Sequence, residues 1–457
     1  MKKIIIALFI SFLFLDCQSQ KSDSLMIRGF YNEALTDYTA YHQLRYLCKE
    51  IGGRICCTPQ AAAAVEWAKQ ELEHMGLDTV YLQECSVRCW KRGEPEQAAV
   101  VSALLGSFEP PVCALGGSVG TGNAGLRARV VEVKSMEELK ELGKSKIKGK
   151  IVFFNRPAEP TFINTFPSYG SAADQRVHGA AMAASYGALG VVVRSLTLAD
   201  DENPHTGIMR YRDSIPAIPA IAIGTANADK LSFWLKQDPD LNFFFRTTCE
   251  ERPEGISYNV IGELKGSEKP DEIICFGGHL DAWDNGEGAH DDGVGVVQTI
   301  EALRLFMATE CQPKHTLRVV VFLDEEVAQR GGQKYAAEVK RKGEKILAAI
   351  ESDRGGFTPL GFSVDAGEAV YRRMDEWRPY FSAYGMHEIV HGYSGVDIYP
   401  LKEQGIPLFA LMTDSQRYFD YQHAPNDVFE NVNRREMQLG SAAIATLIYL
   451  IDRYGFN

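Results

Sequence analysis

This 457-residue sequence has no surplus of positive charge. Its 48 Lys and Arg residues are outnumbered by 60 Asp and Glu residues, which gives a formal net charge of −12. A protein that binds nucleic acid needs Lys and Arg to neutralise phosphates. The charge balance therefore argues against a nucleic-acid partner. Repeats and low-complexity tracts are also absent, and the 45% hydrophobic content is typical of a folded globular protein.

The hydrophobic run at the N-terminus is too short to cross a bilayer. It covers residues 4–15, whereas a membrane-spanning helix needs about 20 apolar residues. Lys2 and Lys3 precede the run, and small residues follow it, so residues 1–19 are predicted to be a signal peptide cleaved before Gln20. The alternative is a lipid anchor attached at Cys17. Both predict an exported protein, periplasmic or extracellular, and the second predicts a membrane-anchored lipoprotein.

The ten cysteines do not form a zinc-finger pattern. Cys85 and Cys89 could pair or lie near a metal, but no second Cys/His pair at zinc-finger spacing follows them. We expect mostly buried free thiols, with one or two disulfides.

The remaining chain contains three regions that differ in composition and in their predicted secondary structure. A glycine-rich stretch at residues 115–120 opens a segment of alternating strands and helices, residues 111–250, that lacks any cluster of acids and histidines. This segment is predicted to be an inserted α/β module.

Residues 28–82 are predicted to be helical, and could pack on the rest of the molecule or pair two copies in a homodimer. From residue 272 onwards strands and helices alternate regularly, which predicts parallel βαβ units and a sheet covered on both faces.

Acidic and histidine side chains follow three of these predicted strands. His279 and Asp281 end the first strand, Glu325 and Glu326 the second, and Asp353 the third. Ligands of open α/β sheets bind outside the carboxyl ends of the strands, so these side chains are expected to meet in one crevice. The helix that follows the first strand begins at a further acidic pair, Asp291-Asp292. Each motif alone has an ordinary structural explanation, such as a helix cap or a surface pair; their joint position indicates a site.

So many carboxylates in one crevice would repel one another unless cations neutralise them. Zinc suits mixed histidine and carboxylate ligands, and two metals can share one carboxylate while they activate water and a carbonyl group. A carboxylate that binds no metal could move the proton. The neighbouring residues Glu325 and Glu326 could supply one ligand and one base. His423 lies in a loop, and the sheet pattern does not place it.

These motifs resemble the M28 family of metallopeptidases over essentially the whole mature chain. The resemblance is carried by residues 278–284 (GHLDAWD), 288–293 (GAHDDG), 312–318 (QPKHTLR), 325–326, 351–353 and the segment around His423. The module at 111–250 is similar to a protease-associated domain, with matches at residues 204–208 and 218–220. The resemblance implies an α/β/α sandwich with a mixed, largely parallel sheet, built from an N-terminal part at 20–110 and a catalytic core at 251–457.

The resemblance also implies roles for individual residues. His279, Asp291 and Asp353 would bind one zinc ion, and Asp291, Glu326 and His423 the other, with two zinc ions per chain. Glu325 would be the general base and acid. Asp281 would orient His279 through its second ring nitrogen. Two residues are candidates for contact with substrate, His205 in the inserted module and Gln422, which stands where similar sequences have a second histidine.

The expected activity is hydrolysis of short unblocked peptides or dipeptides, as an aminopeptidase or dipeptidase. A carboxypeptidase and a single-zinc glutaminyl cyclase are alternatives from the same family, because all of them expose a carbonyl group to metal. Arg354 and Arg417 are candidate anchors for a substrate carboxylate. A non-enzymatic alternative is a binding protein with a structural metal, although such a closed site would not need Glu325.

Overall fold

The computed structural model describes residues 21–456. The predicted signal peptide and Cys17 lie outside these residues. Within them, no helix combines the length and the apolar character that a bilayer span requires.

Two eight-stranded sheets organise the described chain. The helices are α1 (residues 21–36), α2 (Thr39–Tyr46), α3 (Pro59–His74), α4 (Met136–Ile147), α5 (Thr165–Ser185), α6 (Thr225–Gln237), α7 (Val294–Ala308), α8 (Arg330–Lys342), α9 (Glu368–Glu376), α10 (Arg378–Ser382), α11 (Tyr418–Tyr421) and α12 (Arg434–Tyr454). The strands are β1 (Thr79–Lys91), β2 (Gln97–Ser102), β3 (Gly106–Phe108), β4 (Val112–Ala114), β5 (Leu126–Val133), β6 (Ile151–Phe154), β7 (Gly190–Arg194), β8 (Ala220–Ile223), β9 (Asn242–Arg246), β10 (Glu250–Leu264), β11 (Lys269–His279), β12 (His315–Phe322), β13 (Lys345–Glu351), β14 (Pro359–Asp365), β15 (Glu388–His391) and β16 (Leu408–Thr413).

The first sheet has the order β1-β10-β12-β11-β13-β16-β14-β15. Its centre, β12-β11-β13-β16, is parallel, and antiparallel pairs flank it on both sides. Alternate residues of β12 face opposite layers: Leu317 and Val319 pack in the core that contains α7 and α12, whereas Val320 and Phe322 pack against α8. Because both faces are covered, the strand is apolar along most of its length, as expected for a buried parallel strand.

The second sheet, β3-β2-β9-β5-β6-β7-β8-β4, lies between β1 and β10 in the chain, and we call residues 97–246 the insert. In β6, Val152 and Phe154 face the core that contains α4 and α5, whereas Ile151 and Phe153 face the core that contains α6. The insert therefore has two hydrophobic layers of its own. Its first strand, β2, begins at Gln97. The insert therefore starts earlier in the chain than residue 111, where the change in composition predicts its start.

Two details of the insert differ from the sequence pattern. The pattern places a helix at residues 177–186, whereas α5 begins at Thr165, capped by the Asn164 side chain. The prolines of segment 215–223 predict a loop or an edge strand. Residues 216–219, which include both prolines, do lie in a loop, but residues 220–223 form β8, an interior strand between β7 and β4. Pro216 and Pro219 precede the strand and remove no hydrogen bond from it.

A disulfide joins Cys57, just before α3, to Cys89 in β1. Seven further cysteines of the described chain are free, and six of these are buried. This agrees with the expected mixture of free thiols and few disulfides.

Candidate active site

His279 is fixed by the backbone at the end of β11. The Asp292 carboxylate accepts hydrogen bonds from the His279 N–H (3.1 Å) and from the Gly295 N–H (3.0 Å) at the start of α7. A Cβ atom on Gly278 would lie 2.4 Å from the Asp292 carboxylate. Glycine at 278 therefore lets this carboxylate lie under the strand end and hold the histidine in place.

The His279 ring presents its Nε2 atom to two carboxylates. Nδ1 lies 2.9 Å from the main-chain carbonyl of Asp281 and donates to it, which leaves Nε2 as the ring atom that can bind an ion. Nε2 is 3.2 Å from Asp291 Oδ1 and 3.6 Å from Asp353 Oδ1. This is the orientation that a metal ligand requires.

The Asp281 side chain contacts a different group from the one the family resemblance implies. Its carboxylate lies 3.9 Å from His279 Nδ1. It accepts instead from the main-chain N–H groups of Glu325 (3.2 Å) and Glu326 (3.3 Å). The carbonyl of Asp281 thus orients the histidine, while its carboxylate holds the turn that carries the two glutamates.

Asp291 lies between the two histidines. Its Oδ1 faces His279, and its Oδ2 is 3.2 Å from His423 Nε2, which is in turn 3.0 Å from Glu326 Oε2. The Asp427 carboxylate accepts from the Asp291 N–H at 3.2 Å and so supports the turn. The structure thus joins the five predicted ligands in one chain of contacts, in the order Asp353, His279, Asp291, His423 and Glu326.

The donor set fits divalent cations. Asp291 Oδ2 and Glu326 Oε1 are buried without a hydrogen-bond partner. Burial raises the pKa of Glu326 to about 7. Burial acts in the same direction on Asp291, but its contacts with His279 and His423 outweigh it and hold the pKa of Asp291 well below its ordinary value. Buried acceptors without partners carry an energetic cost that a cation would remove.

Two sets of donor atoms in the described residues are close enough to share an ion: His279, Asp291 and Glu326, and His279, Asp292 and Asp353. Asp292 is not among the ligands predicted from the sequence. Both of its oxygens already accept main-chain hydrogen bonds. We therefore assign Asp292 to the support of His279, and Asp291 to the position shared between the two sides.

Glu325 faces a cavity of about 330 Å³ that opens onto Asp291, Asp353 and His423. Burial raises the pKa of Glu325 well above its ordinary value, and the neighbouring charge of Glu326 adds to this effect. Glu325 is not one of the predicted metal ligands, and it lines the cavity that a substrate would enter. It can therefore hold a proton at the site.

The other walls of the cavity come from both parts of the molecule. They include five aromatic residues and two arginines; the residues are Phe166, Tyr169, Arg176 and Ile208 from the insert, and Gln329, Arg354, Tyr393, Gly395, Val396, Tyr418, Phe419 and Gln422 from the rest of the chain. Arg354 is one of the arginines that the sequence singles out. Arg417, the other, pairs with Glu436 at 3.2 Å and does not line the cavity. No sequence signal marks Arg176.

The loop that carries His423 is held by the insert. The His423 carbonyl accepts from the Thr206 N–H (2.9 Å) and from Asn285 Nδ2 (2.8 Å). His205 Nδ1 lies 2.8 Å from the Gln422 carbonyl. His205 is only 4% exposed and is absent from the cavity wall, so the structure places it behind the His423 loop. The Gln422 side chain lines the cavity, with Nε2 3.0 Å from His423 Nε2.

Known proteins match both the sequence and the fold. The model of peptidase family M28 matches residues 259–448. Carboxypeptidase Q from Homo sapiens is 30% identical over 412 residues, which cover 90% of this chain and 85% of that protein. Carboxypeptidase Q from Xenopus laevis is 31% identical over the same shares. The chain belongs to peptidase family M28.

Solved structures agree with this membership. A peptidase M28 precursor from Shewanella amazonensis SB2B has a TM-score of 0.89 at 32% identity, covering 94% of this chain and 97% of its own. A zinc aminopeptidase from Bacillus subtilis shares the fold, with a TM-score of 0.63 at 18% identity over 90% of this chain and 94% of its own. The predicted α/β fold with a mixed sheet is confirmed. The prediction of a metallo-exopeptidase enzyme is confirmed as well.

Proposed function

We propose that the chain is a two-zinc exopeptidase that hydrolyses short peptides with free termini, above all dipeptides. The observation that carries the proposal is the position of Asp291, whose two carboxylate oxygens each lie 3.2 Å from a different histidine Nε2 atom. A carboxylate placed in this way can bridge two ions. Zinc is favoured by the mixed histidine and carboxylate donors and by the named zinc aminopeptidase of the same fold.

In this proposal His279, Asp291 and Asp353 hold one ion. Asp291, Glu326 and His423 hold the other. Zinc, when bound, supplies Lewis-acid activation of the substrate carbonyl and of water. The chain's own residues do the rest: the Asp281 carbonyl keeps the His279 ring in the required tautomer, and the Asp281 carboxylate fixes the backbone of Glu325 and Glu326.

Glu325 is the proposed proton carrier. It is the acid in the cavity that is left over after the ligands are assigned. Taking a proton from water and giving it to the leaving amine requires one carboxyl group close to both. A closed structural metal site would have no use for such a group, which favours an enzyme over a binding protein.

The cavity also supports a limit on substrate length. Its volume of about 330 Å³ is at the low end of small-molecule pockets. Phe166, Tyr169 and Ile208 of the insert form part of its wall. A long peptide would have to pass these side chains, whereas a dipeptide would not.

Export of the protein is part of the proposal. The Cys57–Cys89 disulfide fits an oxidising compartment, and the N-terminal pattern predicts a signal peptide. Extraction with and without detergent would separate a lipoprotein anchored at Cys17 from a protein cleaved before Gln20.

Metal removal tests the proposed function. The purified protein is expected to contain two zinc ions per chain by elemental analysis, and to hydrolyse an unblocked dipeptide. Chelation should abolish this activity, and added zinc should restore it, because the bound zinc activates the water and the substrate carbonyl. A mock-treated sample is the control. Activity that persists after verified metal removal, or a full-activity protein with one zinc ion, would contradict the two-zinc mechanism.

A further inference from the structure

Arg176 is a buried cation without a carboxylate partner among the described residues. It lies on α5, lines the cavity and is 6% exposed, and its Nε atom has no hydrogen-bond partner. Two other arginines of the insert have carboxylate partners: Arg156 contacts Asp174, and Arg194 contacts Asp229 at 2.5 Å. A buried charge is costly unless an opposite charge meets it. An anion that enters the cavity would remove this cost.

The contacts that Arg176 does make are weak. Nη1 lies 3.4 Å from the Thr206 carbonyl and 3.5 Å from His423 Nδ1, and the guanidinium lies 5.4 Å from the centre of the Tyr169 ring. If His423 presents Nε2 to a metal, its Nδ1 carries a proton. Two donors then face each other, so this contact satisfies neither group. Most of the guanidinium donors remain available to a ligand.

Gly207 makes room for this arrangement. A Cβ atom at position 207 would lie 2.6 Å from Arg176 Cζ and 2.7 Å from His423 Nδ1. The glycine has a φ of +127°, which L side chains rarely adopt. The insert thus holds a guanidinium directly beside the His423 ring. The same short segment, residues 204–208, supplies the Thr206 N–H that supports the His423 loop.

We propose that Arg176 binds the free C-terminal carboxylate of the substrate and thereby selects peptides with one residue beyond the scissile bond. The proposal rests on the proposed exopeptidase function and deepens it. In a dipeptide, the terminal carboxylate carbon is three bonds away from the scissile carbonyl carbon, so the two groups lie close together. Arg176 Nη1 lies 3.5 Å from His423 Nδ1, and Nε2 of the same ring faces Asp291 and Glu326, so the guanidinium lies one imidazole ring beyond the proposed ion site. The guanidinium can meet a carboxylate with two parallel hydrogen bonds.

Arg354 is the competing candidate, because it also lines the cavity. Its Nη2 donates to the Tyr393 carbonyl at 2.9 Å, and its guanidinium lies 4.9 Å from the centre of the Phe166 ring. One of its donors is therefore already engaged in holding the loop around Tyr393. Arg176 is the more deeply buried of the two and has a buried donor, Nε, without a partner, so we assign it as the residue that binds the substrate carboxylate.

Kinetics with a matched pair of peptides test the assignment. The probes are an unblocked dipeptide and its C-terminal amide, and the zinc-loaded enzyme is expected to prefer the free acid. Arg176→Gln should lower kcat/KM for the free acid about 100-fold, mainly through KM, and change kcat/KM for the amide by less than about 3-fold. Arg176→Lys should keep part of the preference, since it retains the charge but not the fork. Arg194→Gln, an arginine of the insert outside the cavity, is the control.

Calorimetric binding gives a readout that does not depend on turnover. The free amino acid that leaves a dipeptide, and its amide, are titrated into the zinc-loaded protein and its Arg176 variants. Binding of the acid alone, lost in Arg176→Gln, supports the proposal. Equal binding of acid and amide by the unmodified protein, or a preference that disappears in Arg354→Gln instead, overturns it. Failure of the unmodified enzyme to cleave either peptide would count against the proposed function and leave the calorimetric result to judge Arg176.

Discussion

The two sides of the candidate metal centre are built in different ways. On one side, His279 and Asp353 follow adjacent parallel strands, β11 and β13, and the backbone of His279 is tied to the start of α7 through Asp292. On the other, His423 lies in a loop with a positive φ of 63°, and its carbonyl depends on the insert through Thr206. The sheet alone positions the ligands of the first side. The second side forms only where the insert packs against the His423 loop.

This difference gives the insert a role in the chemistry without supplying a ligand. His205 and Thr206 hold the main chain on either side of the His423 peptide unit, and Arg176 lies beside its ring. Loss of a group that orients a metal ligand typically lowers metal affinity about 10- to 100-fold. We therefore expect changes in the insert to act on the His423 side alone, and changes at the strand ends to act on the His279 side.

The largest effect is expected at Glu325, which lines the cavity shared by both sides of the centre. Glu325→Gln should keep the fold and both zinc ions but lower kcat about 100- to 10,000-fold, the usual contribution of a general base. Steady-state kinetics on a dipeptide, with zinc analysis of the same sample, measures this. Glu338→Gln, which removes an acid from a surface pair with Lys334, is the control. Loss of one zinc ion with normal turnover per remaining site would mean that Glu325 and Glu326 have the opposite roles.

A smaller effect should separate the two sides. Gly207→Ala should weaken zinc binding at the His423 side about 10- to 100-fold, because the new Cβ would displace the imidazole. Gly278→Ala should do the same at the His279 side, because its Cβ would meet the Asp292 carboxylate. Chelator competition monitored by zinc content measures both. Simultaneous loss of both ions in either variant would show that the two sides are not independent.

The same division explains what the sequence could predict. His279, Asp353 and the pairs Asp291-Asp292 and Glu325-Glu326 are predictable as neighbours because ligands of parallel sheets gather at strand ends, a rule that needs only the order of strands. The choice of Asp291 and Glu326 within their pairs, and the assignment of His423, depend on the family resemblance. No local pattern indicated that an unpaired Arg176 in the insert would reach the cavity, or that His205 would lie behind a loop more than two hundred residues away. These contacts depend on how the insert packs, which no local pattern encodes.

The smallest expected effect is on the pH dependence of stability that arises from His205, where the insert contacts the His423 loop. Burial lowers the pKa of His205 from 6.5 to about 4, so the ring stays neutral in the folded protein at pH values where the unfolded chain would protonate it. The contribution of His205 to stability is therefore complete above pH 6.5 and is lost as the pH falls towards 4. Between pH 7.5 and 5.5 this loss amounts to about 1 kcal/mol.

His205→Gln should remove this part of the pH dependence, because glutamine does not titrate but can still donate to the Gln422 carbonyl. Urea unfolding at pH 7.5 and 5.5, with zinc held constant, should show a smaller loss of unfolding free energy than in the unmodified protein. The exposed His74→Gln variant is the control. His290, buried away from the insert with a pKa also lowered to about 4, provides the comparison. If His290→Gln reduces the acid sensitivity and His205→Gln does not, the acid-sensitive contacts are those of His290 with Phe357, Tyr421 and Asn431. The insert then holds the His423 loop without help from His205.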